Sequence, residues 1–168
     1  LAVPGVSKSG GASASASQRK IALVTSAGFA QAYQRTGVSL SVSVIAGEGT
    51  GMERDYDYSA ACHFEDLKTP QEVGKSAGER AVKRLNARKI ASQAVTVIYD
   101  RRVASSLLGH LSSAINGAAI ARGTSFLKSK MGQQIFSKGI SVIDDPLRLR
   151  GLASRPFDGE GLSSSRRE

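Results

Sequence analysis

The chain has 168 residues, 40% of them hydrophobic, which suffices to bury a core as one domain or two small ones. Only 5% are aromatic, Trp is absent and Gly reaches 18, so packing must rest on small and aliphatic side chains, a composition that suits turn-rich antiparallel sheet. The formal charge is +9, from 23 Lys and Arg against 14 acids, and the single cysteine, Cys62, excludes an intrachain disulfide framework and fits a reducing compartment, the cytoplasm.

The first residues, Leu-Ala-Val-Pro-Gly, carry neither a basic n-region nor a long apolar run, so no signal peptide and no membrane span is expected. Both ends read as cuts through a longer chain. Ala12 to Ser17 alternates Ala and Ser, Gln18 to Lys20 is polar, and Ile21 to Ser26 is apolar and β-branched, which together predict a hairpin. Val38, Leu40, Val42 and Val44 then alternate with Ser39, Ser41 and Ser43 as a strand with one apolar face. After the glycines of Gly47-Glu48-Gly49-Thr50-Gly51, suited to a hairpin loop, a second alternating run begins. It places Met52, Arg54, Tyr56, Tyr58, Ala60, Cys62 and Phe64 on one face and Glu53, Asp55, Asp57, Ser59, His63 and Glu65 on the other. The expectation is an antiparallel meander with one dry face.

Thr69-Pro70-Gln71-Glu72 starts a helix with an N-cap Thr, Pro at the first position and a capping-box Glu. Val73, Ala77, Ala81 and Leu85 form its sheet-facing stripe. Seven basic residues in or beside it (Lys68, Lys75, Arg80, Lys83, Arg84, Arg88, Lys89) are expected to face water rather than nucleic acid. A domain boundary is placed near Ser92, dividing residues 1–91 from 92–168. Beyond it come a buried strand at Val95 to Tyr99 and a helix over about Arg101 to Ala121 with Val103, Leu107, Leu111, Ile115 and Ala118 or Ala119 as its stripe. A possible helical turn at Lys130 to Phe136 and a strand at Ile140 to Ile143 follow. The fold class is therefore α+β: an antiparallel β meander with packed helices, then the start of a second, mostly antiparallel α+β domain.

Chemistry-bearing patterns are sparse. The Gly47 to Gly51 loop lacks the Lys-Ser/Thr and following helix of a phosphate loop. Cys62 and His63, as strand neighbours, point to opposite faces and cannot share a proton. His110 lies alone on the second helix, and two His and one Cys at these separations match no zinc motif. Asp144-Asp145-Pro146 and Asp158-Gly159-Glu160 are the acidic constellations left for acid/base work, although Asp before Pro and Asp-Gly are also common turn pairs.

Taken in order, Met52 to Tyr58, the helix at Val103 to Ala119 followed by Gly123-Thr124-Ser125, Ile143-Asp144-Asp145-Pro146 and Pro156-Phe157-Asp158-Gly159-Glu160-Gly161 resemble the TldD/PmbA family of peptidases, also called modulators of DNA gyrase. Within this family the catalytic TldD-type subunit carries His-Glu-x-x-x-His on the helix before the Gly-Thr-Ser segment. Leu108, Gly109 and Ser113 stand at those positions here. The departure resembles the PmbA or TldE type, which pairs with a TldD-like catalytic subunit as its non-catalytic half.

The resemblance implies a cytoplasmic heterodimeric zinc metalloprotease that processes or degrades peptides or unfolded proteins, with zinc in the partner subunit and no cofactor in this chain. It implies no catalytic or metal-ligating residue here. Gly123, Thr124, Ser125, Asp144, Asp145, Asp158 and Glu160 are the candidates for lining a substrate cleft or an interface, with the substrate bound as an extended strand. Two other readings stand beside it: an active homodimeric peptidase with ligands outside this window, and a basic DNA- or gyrase-associated binding module.

Overall fold

The computed structural model describes residues 2–168. They fall into two compact units, one holding the chain up to Lys89 together with Ile143–Glu168, the other Ile90–Val142.

The first unit is built on a three-stranded antiparallel sheet of β1 (Val6–Val24), β2 (Ala30–Ala46) and β3 (Glu53–Ala61), in the order β1-β2-β3. β1 runs straight through the polar triplet: Gln18, Arg19 and Lys20 pair with Thr36, Arg35 and Gln34. The hairpin expected within Ala12 to Ser26 is thus one strand, and the chain reverses at Thr25 to Phe29. The Thr25 N–H donates to the Phe29 carbonyl (2.9 Å), the Phe29 N–H donates to Thr25 Oγ1 (3.3 Å), and Gly28 supplies the left-handed residue (φ 88°). Gln-Arg-Lys offers no such residue, so the polar signal alone did not make a turn.

The alternation in β3 is real but its burial is inverted. Asp55, Asp57, Ser59 and Ala61 are buried, whereas Tyr56 and Tyr58 are 52% and 53% exposed and Met52 and Phe64 also lie open. The dry face is therefore the acidic face and not the one that carries the tyrosines, and the reason is the helix above it. α1 (Pro70–Lys83) starts as predicted, with Thr69 Oγ1 accepting the Glu72 N–H (3.2 Å) and Glu72 Oε2 accepting the Thr69 N–H (2.8 Å). Its stripe of Val73, Ala77 and Ala81 is buried, the two alanines on Val44 and Ala46, with Leu85 partly buried beside them.

The basic residues of α1 do not all face water. Arg84 reaches Glu53 (3.3 Å) and Asp55 (3.8 Å), and half-buried Arg80 donates through Nε to Ser76 Oγ (3.3 Å). Lys75, paired with Glu79 at 3.8 Å, keeps the solvated role expected of the whole set. Two glycines of α1 differ in their surroundings: a Cβ on Gly78 would lie 2.7 Å from Val3 Cγ2, while one on Gly74 would meet open space.

The last residues of this unit form turns and two isolated bridges, Asp144 with Arg167 and Phe157 with Ser163. Phe157 is 4% exposed and packs edge-on against Phe29 (5.0 Å) and Tyr33 (5.2 Å).

In the second unit, α2 (Arg101–Ala114) and α3 (Gly117–Ala121) replace the single helix expected over Arg101 to Ala121. Asn116 causes the break: its side chain accepts the Ala118 N–H (2.9 Å) and so starts a new helix instead of continuing the old one. Lys130 to Phe136 makes turns but no helix, and neither Val95 to Tyr99 nor Ile140 to Ile143 forms a strand. Val97 and Ile98 are 64% and 92% exposed. A strand needs a neighbour for its N–H and C=O groups, and among the described residues none pairs with these segments.

Candidate functional site

The sheet presents two chemically distinct faces and two unlike edges. On β3, Asp55 Oδ1 accepts the Tyr56 N–H (2.7 Å) and Asp57 Oδ1 accepts the Tyr58 N–H (2.9 Å). Those N–H groups therefore point away from β2, and the two carboxylates cap the outer edge of β3. Asp57 Oδ2 is buried without a partner at hydrogen-bonding geometry among the described residues. Burial pushes the Asp57 pKa up, but the nearby Ser76 hydroxyl, the Tyr58 N–H and the charges of Lys68 and Arg80 outweigh it, leaving the carboxyl below its ordinary value. Tyr56 and Tyr58 stack on the opposite face, ring centroids 6.4 Å apart and planes 18° from parallel.

Gly123, Thr124 and Ser125 lie just after α3. Gly123 takes a left-handed φ of 71° that ends the helix, and the Thr124 hydroxyl donates to the Ala119 carbonyl (3.3 Å). Ser125 is buried: its hydroxyl donates to the Ala114 carbonyl at 2.6 Å and accepts the Leu127 N–H at 3.0 Å. It ties the following turn to the end of α2, a holding role for a hydroxyl that has spent its proton on a carbonyl.

Asp144, Asp145 and Asp158 line one cavity of about 460 Å³ in the first unit, together with Arg148, Arg155 and Arg167. Asp144 exchanges both backbone bonds with Arg167 (3.0 and 2.9 Å), and Asp145 Oδ1 accepts the Leu147 N–H (3.2 Å). Asp158 Oδ1 accepts the N–H groups of Glu160 and Leu162, both at 2.9 Å, and these bonds hold its pKa low. Glu160 is exposed and outside the lining. The structure thus gathers three of the four candidate acids among arginines, while Gly123 to Ser125 belong to the other unit. An acid held ionised by backbone donors, as Asp158 is, suits cation binding or turn-holding better than proton donation.

Arg150 carried no signal in the sequence. It pairs with Asp66 (3.0 Å) and Glu65 (3.2 Å) from a left-handed φ of 56°, and the Asp66 carboxylate raises its pKa. The separation of 84 residues explains why spacing could not reveal the pair. The Cys62 thiol, half-buried, lies 3.6 Å from the Gly151 carbonyl, and His63 is exposed.

On α2, Leu108 is 55% exposed, Gly109 borders open space, and Ser113 and His110 are exposed. Leu108 has no lone pair, Gly109 no side chain, and a neutral Ser113 hydroxyl is a poor zinc ligand, so this set does not fit a zinc ion. Among the described residues, no helix is long and apolar enough to cross a membrane.

Two successive stretches of the chain match domains of a metallopeptidase. Residues 2–85 match the central domain of the PmbA/TldA metallopeptidases, and residues 92–168 match their C-terminal domain. This chain belongs to the TldD/PmbA family. It is 41% identical over 141 residues to Metalloprotease PmbA of Escherichia coli O157:H7, covering 84% of this chain and 31% of that protein. It is 38% identical to a Metalloprotease PmbA homolog of Haemophilus influenzae over 84% of this chain and 31% of that one. A crystal structure of a proposed modulator of DNA gyrase from Bacteroides thetaiotaomicron superposes with a TM-score of 0.87 at 30% identity, over 93% of this chain and 36% of that one. The chain therefore spans about a third of the length of these relatives.

Proposed function

We propose that the full-length protein is the PmbA/TldE-like, non-catalytic subunit of a TldD/TldE-type zinc metalloprotease that processes or degrades peptides in the cytoplasm. In this reading residues 1–91 are its central domain and 92–168 open its C-terminal domain. Zinc sits in a TldD-like partner, and peptides or unfolded proteins are the substrates. The observation that carries it is the trio Leu108, Gly109 and Ser113 on α2, where the family's catalytic members carry His, Glu and His.

Gly123 to Ser125 then hold the turn beside this helix. Asp144, Asp145, Asp158 and Glu160 shape a polar cleft or an interface. Zinc analysis of the purified full-length protein tests the assignment: metal well below one equivalent is expected, and a stoichiometric ion accompanied by peptidase activity would overturn it.

A further inference from the structure

β1 and β2 set two arginines directly against each other. Arg19 pairs with Arg35 in the ladder, and residues opposite one another across an antiparallel pair place their side chains on the same face. Both line one cavity of about 270 Å³, together with Ser17, Tyr33, Thr36 and Leu152. Like charges in this arrangement repel and weaken the pairing that carries them. Other arginines of the first unit meet acids: Arg84 sits on Glu53 and Asp55, and Arg150 on Asp66 and Glu65. Among the described residues no carboxylate pairs with Arg19 or Arg35, and the cavity lining holds no acid.

The walls of this cavity are held in place from several directions. Arg35 donates through Nη2 to the Leu152 carbonyl, which fixes its guanidinium and leaves the remaining N–H groups for another acceptor. The Thr36 hydroxyl donates to the Cys62 carbonyl (2.7 Å), and Phe157 packs edge-on against the Tyr33 ring (5.2 Å). The cavity therefore lies where the last stretch of the first unit meets the sheet.

We propose that it binds a phosphoryl group between Arg19 and Arg35, as inorganic phosphate or as a phosphomonoester. Such a group carries a charge of about −1.5 to −2 at neutral pH and three acceptor oxygens, which balances two guanidinium groups and suits their forked donors. A lone carboxylate would leave one of the two cations uncompensated. A nucleic-acid strand fits less well, because each of its phosphates brings a single negative charge. The neighbouring cavity, also bordered by Leu152, holds Asp144, Asp145 and Asp158, which oppose a polyanion that continues in that direction. Occupancy removes the repulsion between β1 and β2 and, through Arg35 and Leu152, fastens the last stretch of the unit to the sheet. This site is independent of the peptidase reading and goes beyond it.

The test titrates full-length protein with inorganic phosphate, phosphoserine and succinate by calorimetry at constant ionic strength, and follows amide hydrogen exchange around Arg19 and Arg35. Phosphate should bind saturably and slow exchange at both positions. Arg19 is exposed and its side chain makes no hydrogen bond among the described residues, so Arg19→Gln should fold. In phosphate-free buffer this variant should exchange no faster than the parent, since the repulsion is gone, and its phosphate affinity should fall about tenfold. Arg19→Lys, which keeps the charge and loses the fork, should fall between the two. Tighter binding of phosphoserine than of phosphate would identify a phosphomonoester as the ligand, and equal or weaker binding the free ion; either supports the site. The proposal is overturned if phosphate shows no saturable binding or no protection, or if Arg19→Gln leaves the affinity unchanged. It is overturned equally if succinate or a single-stranded oligonucleotide binds more tightly than phosphate.

Discussion

The Asp57 carboxyl reaches one residue forward and accepts the Tyr58 backbone N–H at 2.9 Å. This bond explains why acids lie beneath α1 while tyrosines face outward: the carboxylates of β3 cap its free edge and meet the cations of the helix. Asp57 is 4% exposed and its pKa is depressed, so its contribution is complete above the ordinary aspartate value of about 4 and is lost as pH falls through its lower folded value. Asp57→Asn should therefore destabilise at neutral pH by about 1–3 kcal/mol, and the difference from the parent should shrink in strong acid. Thermal melts across pH check this, and a difference that does not vary with pH would remove the electrostatic explanation.

The two glycines of α1 should respond with opposite sign. Gly74→Ala gains helix propensity in open space and should stabilise by about 1 kcal/mol. Gly78→Ala drives a methyl into Val3 and should cost about 1–3 kcal/mol. Denaturant midpoints of the two variants, measured side by side, settle the packing of the N-terminal segment on this helix.

How much of this was legible follows the range of the interactions. Thr69, Pro70 and Glu72 act within one turn of chain, so the start of α1 and its buried stripe could be read directly. The face of β3 could not, because alternation separates two faces without saying which one a helix covers. In this protein the decision lies with Arg84 and Arg80, more than twenty residues downstream of Asp55 and Asp57. Likewise Val95 to Tyr99 carries a strand's residue types, but strand formation depends on a neighbour, and none of the described residues supplies one. Among the candidate site residues, Asp144, Asp145 and Asp158 come together in one cavity, a convergence that their turn-like local sequence did not announce.

Phe157 anchors the final stretch of the first unit between Phe29 and Tyr33. Phe157→Ala should cost about 3–5 kcal/mol and raise hydrogen exchange through the turns around Asp158. Loss confined to global stability, with those turns still protected, would argue against this anchoring.

Ser125 ties the turn after α3 to the end of α2. Ser125→Ala should lower stability by about 1–2 kcal/mol and leave peptide cleavage by the assembled enzyme within a few fold of the parent. A collapse of kcat with unchanged stability would instead give the hydroxyl a role in the chemistry.

The most direct measurement is peptide cleavage by purified full-length protein, assayed alone and after mixing with a TldD-like subunit. The positions of Leu108, Gly109 and Ser113 predict no cleavage alone and zinc-dependent cleavage once the two are combined. Turnover by this protein in the absence of the partner would contradict the account.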